Sequence, residues 1–345
     1  MRYNNLLTLF FCLLFSLCIL VYPSPSSKGV IEGLNLCYNV IIPSLFPFTV
    51  VSLMLFEGNY ISYLSQYLDK FTNKVFRLSG KNFCIYLVSL LGGYPVGAKL
   101  IEKSFLRGEI NKSNAELMLT YSVNSGPSFI IIAVGVQILE SKLIGFLLFC
   151  SNLAASLILA IIFGRFMSSQ KAEFENKKDS QRFSDLFVKS TYDACYAMVS
   201  ICSFVLVFSS VTKIISSFFG TDKITKMICM LLEVTKGATL ADGNILIISF
   251  LLGFSGICVH FQILSMCRSI KPRYYLFLIA RIIHGILSSF ISFILLKIFG
   301  LSVTTGALAT TISYQFSKYS VYFGLLFIFS SVVFMSSVKK SINFK

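Results

Sequence analysis

The stretch Leu90-Leu91-Gly92-Gly93-Tyr94-Pro95-Val96-Gly97-Ala98-Lys99 decides how the chain folds. It breaks an apolar run with glycines and a proline. A second break, Asn124-Ser125-Gly126-Pro127, follows downstream. Both lie within or against segments apolar enough for a bilayer interior. Backbone that leaves the helix there exposes N–H and C=O groups that lipid cannot satisfy. Such breaks persist only where protein, water or a ligand takes those hydrogen bonds. Transporters build midplane binding sites in this way, from discontinuous helices whose ends point at the substrate. The bland alternative is two ordinary kinks, since Gly and Pro are frequent in membrane helices.

Composition fixes the class. The chain is 55% hydrophobic and only 13% charged, with mean hydropathy +0.78, whereas soluble domains average about 25% charged residues. It reads as an all-α polytopic membrane protein. The net charge of +15 does not indicate nucleic-acid binding, because the basic residues collect in short loops between apolar runs, as the positive-inside rule expects. The ten cysteines include no C-x-x-C pair. Most stand singly in apolar runs, as small core residues.

Outward from the first break, Phe83 to Leu91 is nine residues, a rise of about 14 Å and half a bilayer core. The arm after the turn soon becomes polar. Four basic residues in 57–82 and four in 99–113 put both flanks on one face, so 83–108 reads as a re-entrant hairpin rather than a crossing. Before it lie a first span, Leu6 to Tyr22, read as a retained helix, and a second, Leu34 to Phe56, kinked by Pro43 and Pro47. After it come the broken span 114–138 and a span over 142–163. A linker over 166–189 follows, basic enough to be cytoplasmic.

The second half reads as a repeat of the first. Leu251-Leu252-Gly253 matches Leu90-Leu91-Gly92 at an offset of 161, opening a break at Gly253-Phe254-Ser255-Gly256. Lys99 then falls opposite His260, and an offset of 160 sets Asn124 opposite His284. Internal symmetry of this kind is typical of transporter repeats. The expected layout is two inverted-topology repeats, 31–165 and 190–300, each with a re-entrant helical hairpin and a broken transmembrane helix. The second hairpin is placed at 245–267, and the span from Tyr274 to Lys297 takes the place of 114–138. Residues 1–30 form a separate N-terminal helix. Residues 301–345 carry a C-terminal segment whose crossings, near 302–317 and 320–336, stay open.

The candidate site gathers around the breaks: Gly92, Gly93, Tyr94 and Lys99 in the first; Asn124, Ser125 and Gly126 in the second; Ser255, Gly256 and His260 in the third. Arg281 and His284 sit three apart on an apolar helix, and a cation at that depth costs at least about 2.5 kcal/mol and usually marks a pathway or site. A snorkelling Arg281 and a capping His284 are the bland alternative. Glu233, an acid in a mostly apolar run, completes the set. Positive groups, amide and hydroxyl donors and helix N-termini suit a small anion. A cation site would need more carboxylates than Glu116 and Glu233. The sequence carries no nucleotide-binding loop, paired catalytic carboxylates or metalloprotease pattern, so neither an enzyme nor a cofactor is expected.

The same residues carry a resemblance. Gly92-Gly93-Tyr94-Pro95-Val96-Gly97-Ala98-Lys99, Asn124-Ser125-Gly126-Pro127-Ser128-Phe129, Leu232-Glu233-Val234-Thr235-Lys236-Gly237, Leu252-Gly253-Phe254-Ser255-Gly256 through His260, and Ala280-Arg281-Ile282-Ile283-His284-Gly285 occur in order over residues 30–300. They resemble the YlbJ/SpoVV-type sporulation integral membrane proteins of the nucleoside-recognition (Gate) domain group. The resemblance implies a spore-forming bacterium and a site in the outer forespore or cell membrane. It also implies transport of a small organic anion, most specifically dipicolinate (pyridine-2,6-dicarboxylate), from the mother cell toward the forespore. A layout like that of concentrative nucleoside transporters is implied as well, although their acidic cation- and nucleoside-binding signatures are not evident. Nucleoside or other solute transport and a non-transporting role in spore-envelope assembly are the alternatives. The expected partners are a small anionic substrate and the lipid bilayer, with a second copy of the chain left open and no nucleic acid.

Overall fold

Long apolar runs become helices because a helix satisfies its own backbone inside lipid. The computed structural model describes residues 2–58, 60–167 and 182–304, and these are helical nearly throughout. Among the described residues, five helical stretches are long and apolar enough to cross a membrane: Pro23–Glu57, Lys142–Gly164, Phe183–Phe219, Ile245–Met266 and Tyr274–Ile298. The central part of the 166–189 linker and the segment beyond residue 304, with its expected crossings, lie outside the described residues.

Helix α1 covers Arg2–Val21 and α2 covers Pro23–Leu36. The latter passes through a π-helical turn, Cys37–Ile41, into α3, Ile42–Glu57. The second span therefore starts at Pro23 rather than Leu34, and residues 23–30 belong to it instead of to a separate N-terminal unit. Pro23 and Pro25 fit there because the first turn of a helix needs no N–H donors. The π-helical turn lies just ahead of Pro43, whose ring would otherwise press on the carbonyl four residues back. Helix α4, Tyr60–Val75, packs its Ile61, Ser65 and Thr72 face inward.

Helices α5 (Gly80–Gly92) and α6 (Tyr94–Leu106) fold back on each other. Ser79 caps α5 by accepting from the Asn82 N–H at 3.3 Å. Gly93 ends it at φ 80°, ψ −174°, backbone that only glycine adopts freely. Pro95 then sits in the first turn of α6. Lys81 and Glu109 pair at 3.0 Å, so the arms share a base. The hairpin read over 83–108 is thus a helical hairpin over 80–106. Helix α7, Lys112–Ser122, stops where Pro127 prevents continuation, and a π-helical segment, Phe129–Ile138, resumes the span. Helix α8, Lys142–Gly164, follows.

The second half departs from its expected register. After α9 (Phe183–Phe219), the pair that folds back is α10 (Lys223–Leu232) with α11 (Val234–Leu240), whose tip is Glu233. A Cβ on Gly237 would lie 2.7 Å from the Met230 carbonyl, and one on Gly97 would lie 3.1 Å from the Ser89 Cβ. Lys226 and Asp242 pair across the base of this second hairpin. Helices α12 (Ile245–Phe254) and α13 (Gly256–Met266) form no hairpin. Their partners on α14 (Tyr274–Ile298) fall steadily in number as theirs rise. Ser289 donates to the Leu246 carbonyl at 3.1 Å, Ser249 bonds Ser288 at 2.9 Å, and His260 Nδ1 meets the Tyr274 hydroxyl at 3.2 Å. The two helices are therefore one broken span, antiparallel to an unbroken α14. Ser255 (φ 80°, ψ −8°) and Gly256 (φ 70°) are left-handed helical and offset the axis without reversing it.

The expected correspondences of Lys99 with His260 and of Asn124 with His284 fail for the same reason. Lys99 lies midway along a hairpin arm, whereas His260 lies in a broken span. Asn124 lies in a break, whereas His284 lies in a continuous helix.

Charged residues divide between the two ends of α9. Near its start, Glu57 accepts from Lys103 (2.7 Å), Arg107 (3.1 Å) and Lys189 (2.8 Å), while Asp193 pairs with Lys103 at 2.7 Å. Near its end, Lys213 pairs with Glu32, which Lys236 also reaches at 3.4 Å. Lys189 and Lys213 are separated by about 36 Å of helix at 1.5 Å per residue, close to a bilayer's thickness. The α5–α6 base lies at the first end and α11 at the other.

Candidate functional site

A broken helix leaves carbonyls without their usual partners. At the α12–α13 break, three consecutive carbonyls find side chains instead. The Tyr94 hydroxyl donates to the Leu252 carbonyl at 2.6 Å, Arg281 Nη2 donates to that of Gly253, and His260 Nε2 meets that of Phe254 at 2.9 Å. At the α7 break, Arg281 Nη1 donates to the Val123 carbonyl at 2.5 Å, and Asn124 Nδ2 donates to Tyr121 at 2.7 Å and to Ser156 Oγ at 3.0 Å. Ser125 Oγ hydrogen-bonds the Tyr94 hydroxyl, joining the first hairpin tip to the first break. Gly93 and Gly126 meet there, and a Cβ on Gly126 would stand 3.4 Å from the Gly93 Cα.

Arg281 is fully buried. Its charge is opposed by the negative ends of two half-helices, α7 and α12, whose terminal carbonyls it holds. Arg281 Nη2 also lies 2.6 Å from His284 Nδ1, and His284 Nε2 lies 3.0 Å from the Asn152 carbonyl. A ring that accepts at Nδ1 and donates at Nε2 is a neutral imidazole. His260 is set between the Tyr274 hydroxyl, at 3.2 Å from Nδ1, and the Phe254 carbonyl, at 2.9 Å from Nε2. Arg281 Nε has no partner among the described residues, and neither do Asn124 Oδ1 or Asn152 Nδ2. The structure thus brings together Tyr94, Asn124, Ser125, Gly126, Arg281 and His284, with Gly93, Ser255, Gly256 and His260 beside them. Their polar groups are spent largely on one another and on broken backbone.

A partly open pocket lies between the two hairpin tips. Tyr94 and Pro95 come from the first tip, and Glu233, Val234 and Thr235 from the second. Gly126 and Phe129 bring the first broken span to the wall, Cys258 and Gln262 the second, and Leu45 and Val205 the long helices α3 and α9. Arg281 and His284 do not line it. The charged wall residue is Glu233, whose carboxylate accepts from the Thr235 and Lys236 N–H groups at 3.0 and 2.6 Å and so caps α11. Gln262 offers a carboxamide whose Nε2 makes only a weak contact to Cys258 Sγ, at 3.4 Å. Gly92 packs behind the first tip, where a Cβ would stand 2.6 Å from Val96.

Lys99 is not part of this centre. Its Nζ donates to the Asp193 carbonyl at 2.8 Å, in the charged layer at the hairpin base. Thr235, Gln262, Phe129 and Val205 were not among the candidate site residues read from the sequence. Thr235 and Phe129 lie inside quoted motifs, Gln262 lies just beyond one, and Val205 reads as an ordinary span residue. No group of three or more His, Cys, Asp or Glu side chains is placed to hold a metal among the described residues.

No protein-family model matches the chain. No solved structure matches it either. The chain is similar to the sporulation integral membrane protein YlbJ of Bacillus subtilis (strain 168), at 22% identity over 341 residues, covering 86% of this chain and 84% of that protein. The similarity runs along most of both chains and supports the YlbJ-type resemblance.

Proposed function

We propose that the chain is a membrane transporter of a small organic solute, which it holds in the cavity between the hairpin tips. The cavity carries the reading. Every helix pair or span with a backbone break contributes to its wall. Transporter sites are built where broken helices meet near the midplane. The halves act as inverted repeats: a long helix, a hairpin, a broken helix and a further helix occur twice, with hairpin bases at opposite ends of α9. Hairpin motion on alternate faces would then expose one cavity to each side.

Dipicolinate is the first substrate to test, with the membrane around the developing spore as the proposed setting, and the similarity to a sporulation integral membrane protein supports a role in sporulation. The apolar walls suit a flat aromatic body, and the N-terminal end of α6 lends partial positive charge to a carboxylate. A neutral, donor-bearing solute such as a nucleoside is the second reading. It is favoured by one observation, that the wall presents Glu233 and Gln262 but neither lysine nor arginine. Uptake of labelled dipicolinate by proteoliposomes, with nucleosides and simple dicarboxylates as competitors, separates the two. Dipicolinate uptake competed only by dicarboxylates supports the anion. Nucleoside uptake indifferent to dipicolinate supports the neutral solute. Absence of both in functional vesicles contradicts the transporter reading.

A further inference from the structure

Helix α4, 16 residues long, is not among the helices long and apolar enough to cross a membrane, yet its outer face is apolar. Tyr60, Tyr63, Leu64, Tyr67, Phe71 and Val75 recur at helical spacing and are exposed, Tyr67 most of all at 72%. The opposite face, Ile61, Ser65 and Thr72, is buried against the protein. Tyr63 and Tyr67 meet edge-on at 5.5 Å with their hydroxyls 3.3 Å apart, so the stripe ends in phenol oxygens rather than bare hydrocarbon.

Charge on this surface has one sign. Lys70, Lys74 and Arg77 are exposed and make no ion pair among the described residues. The nearby acid, Asp69, is already engaged, accepting from the Gly80 N–H at 2.7 Å and from Asn73 at 2.9 Å. The helix sits at the level of the charged layer, because it follows Glu57 directly and precedes Lys81, which pairs with Glu109. Tyrosine rings concentrate at the headgroup level of membranes, and lysines beside an apolar helix face attract anionic lipid.

We propose that α4 lies in the plane of the membrane interface and binds anionic phospholipid headgroups, with its tyrosine stripe seated at the headgroup–acyl boundary. A second copy of the chain fits this face less well, since two-fold packing would bring lysine onto lysine. The seating has a consequence for the first hairpin. Asp69 of α4 takes the first N–H of α5, so the lipid-bound helix fixes the height of the α5–α6 base.

The chain contains no tryptophan, so single-tryptophan variants of the full protein report without background. Tyr67→Trp and, as a deep ruler on the exposed face of mid-α14, Ile286→Trp would be reconstituted in phosphatidylcholine vesicles containing brominated phosphatidylglycerol. Tyr67→Trp fluorescence should be lost more to bromines near the headgroup than to bromines near the chain end, and Ile286→Trp should show the reverse. Adding Lys70→Gln and Lys74→Gln should remove any excess quenching by brominated phosphatidylglycerol over brominated phosphatidylcholine. The proposal is overturned by no lipid quenching at Tyr67→Trp or by a depth equal to that of Ile286→Trp. An unchanged lipid preference in the charge variant, or quenching that disappears as protein is concentrated in the bilayer, overturns it as well.

Discussion

Arg281 and Val123 are 158 residues apart in sequence, and the guanidinium of one holds the main-chain carbonyl of the other at 2.5 Å. The same side chain holds Gly253 at the second break. One residue therefore fastens the broken span of the first half to that of the second. Loss of the fork leaves two buried acceptors without donors, at about 1–3 kcal/mol each. Arg281→Leu is expected to lower the melting temperature in detergent markedly, even though insertion of the helix becomes easier without the charge. Arg281→Lys should fall between, because one ammonium cannot serve both carbonyls in the geometry of a planar fork. A melting temperature unchanged in Arg281→Leu would refute the fastening role.

Gly253 and Gly285 bring α12 and α14 into backbone contact. A Cβ added at Gly253 would lie 2.6 Å from the Gly285 Cα, and backbone cannot yield as a side-chain tip can. Gly253→Ala is expected to cost about 1–3 kcal/mol, the usual penalty for overpacking. Unfolding of the purified variant in detergent checks it, and wild-type stability would show that the helices are free to separate.

Glu57 gathers three cations from two other elements while its own side chain is only 2% exposed. Two of those cations, Arg107 and Lys189, are themselves well exposed, at 40% and 52%, so screening by water weakens their share. Lys103 is the strong partner, at 22% exposure and 2.7 Å. Glu57→Gln should destabilise the attachment of α6 to α3 and α9, because the carboxylate that gathers the three cations loses its charge. Equal melting temperatures for wild type and Glu57→Gln would remove the network from any account of stability.

Topology offers a separate check. The bases of the two hairpins are placed at opposite ends of α9, so cysteines introduced at Lys81 and Lys112 should label from one side of the membrane. Cysteines at Lys226 and Asp242 should label from the other. Labelling of all four from a single side would contradict the inverted arrangement.

Much of this was legible in the sequence, and the part that was not has a physical cause. Gly93 and Pro95 announce the first hairpin because a positive φ and a proline in the first helical turn leave little choice of geometry. Asn124 to Pro127 announce the first broken span equally well. The second hairpin was missed because its tip residue is Glu233, in ordinary extended backbone at φ −138°, with no glycine or proline at the turn itself. The visible glycines at Gly253 and Gly256 drew the expectation to the wrong element. A usable signal existed in the spacing from Gly93 to Gly97, which recurs from Glu233 to Gly237. Arg281 and His284 stood out in the sequence as polar groups on an apolar helix. That their partners are main-chain carbonyls depends on where two distant helices stop, and a linear reading does not supply that.

The account turns on the cavity between Tyr94 and Glu233. The most direct measurement is solute counterflow in proteoliposomes, comparing wild type with Val205→Trp, a substitution that fills the cavity from the α9 side without touching the carbonyls held by Arg281. Wild-type protein should exchange dipicolinate or a competing small organic solute above protein-free vesicles, and Val205→Trp should fall to the background at equal abundance and similar melting temperature. Undiminished exchange in Val205→Trp, or none by the intact wild-type protein, would contradict the account.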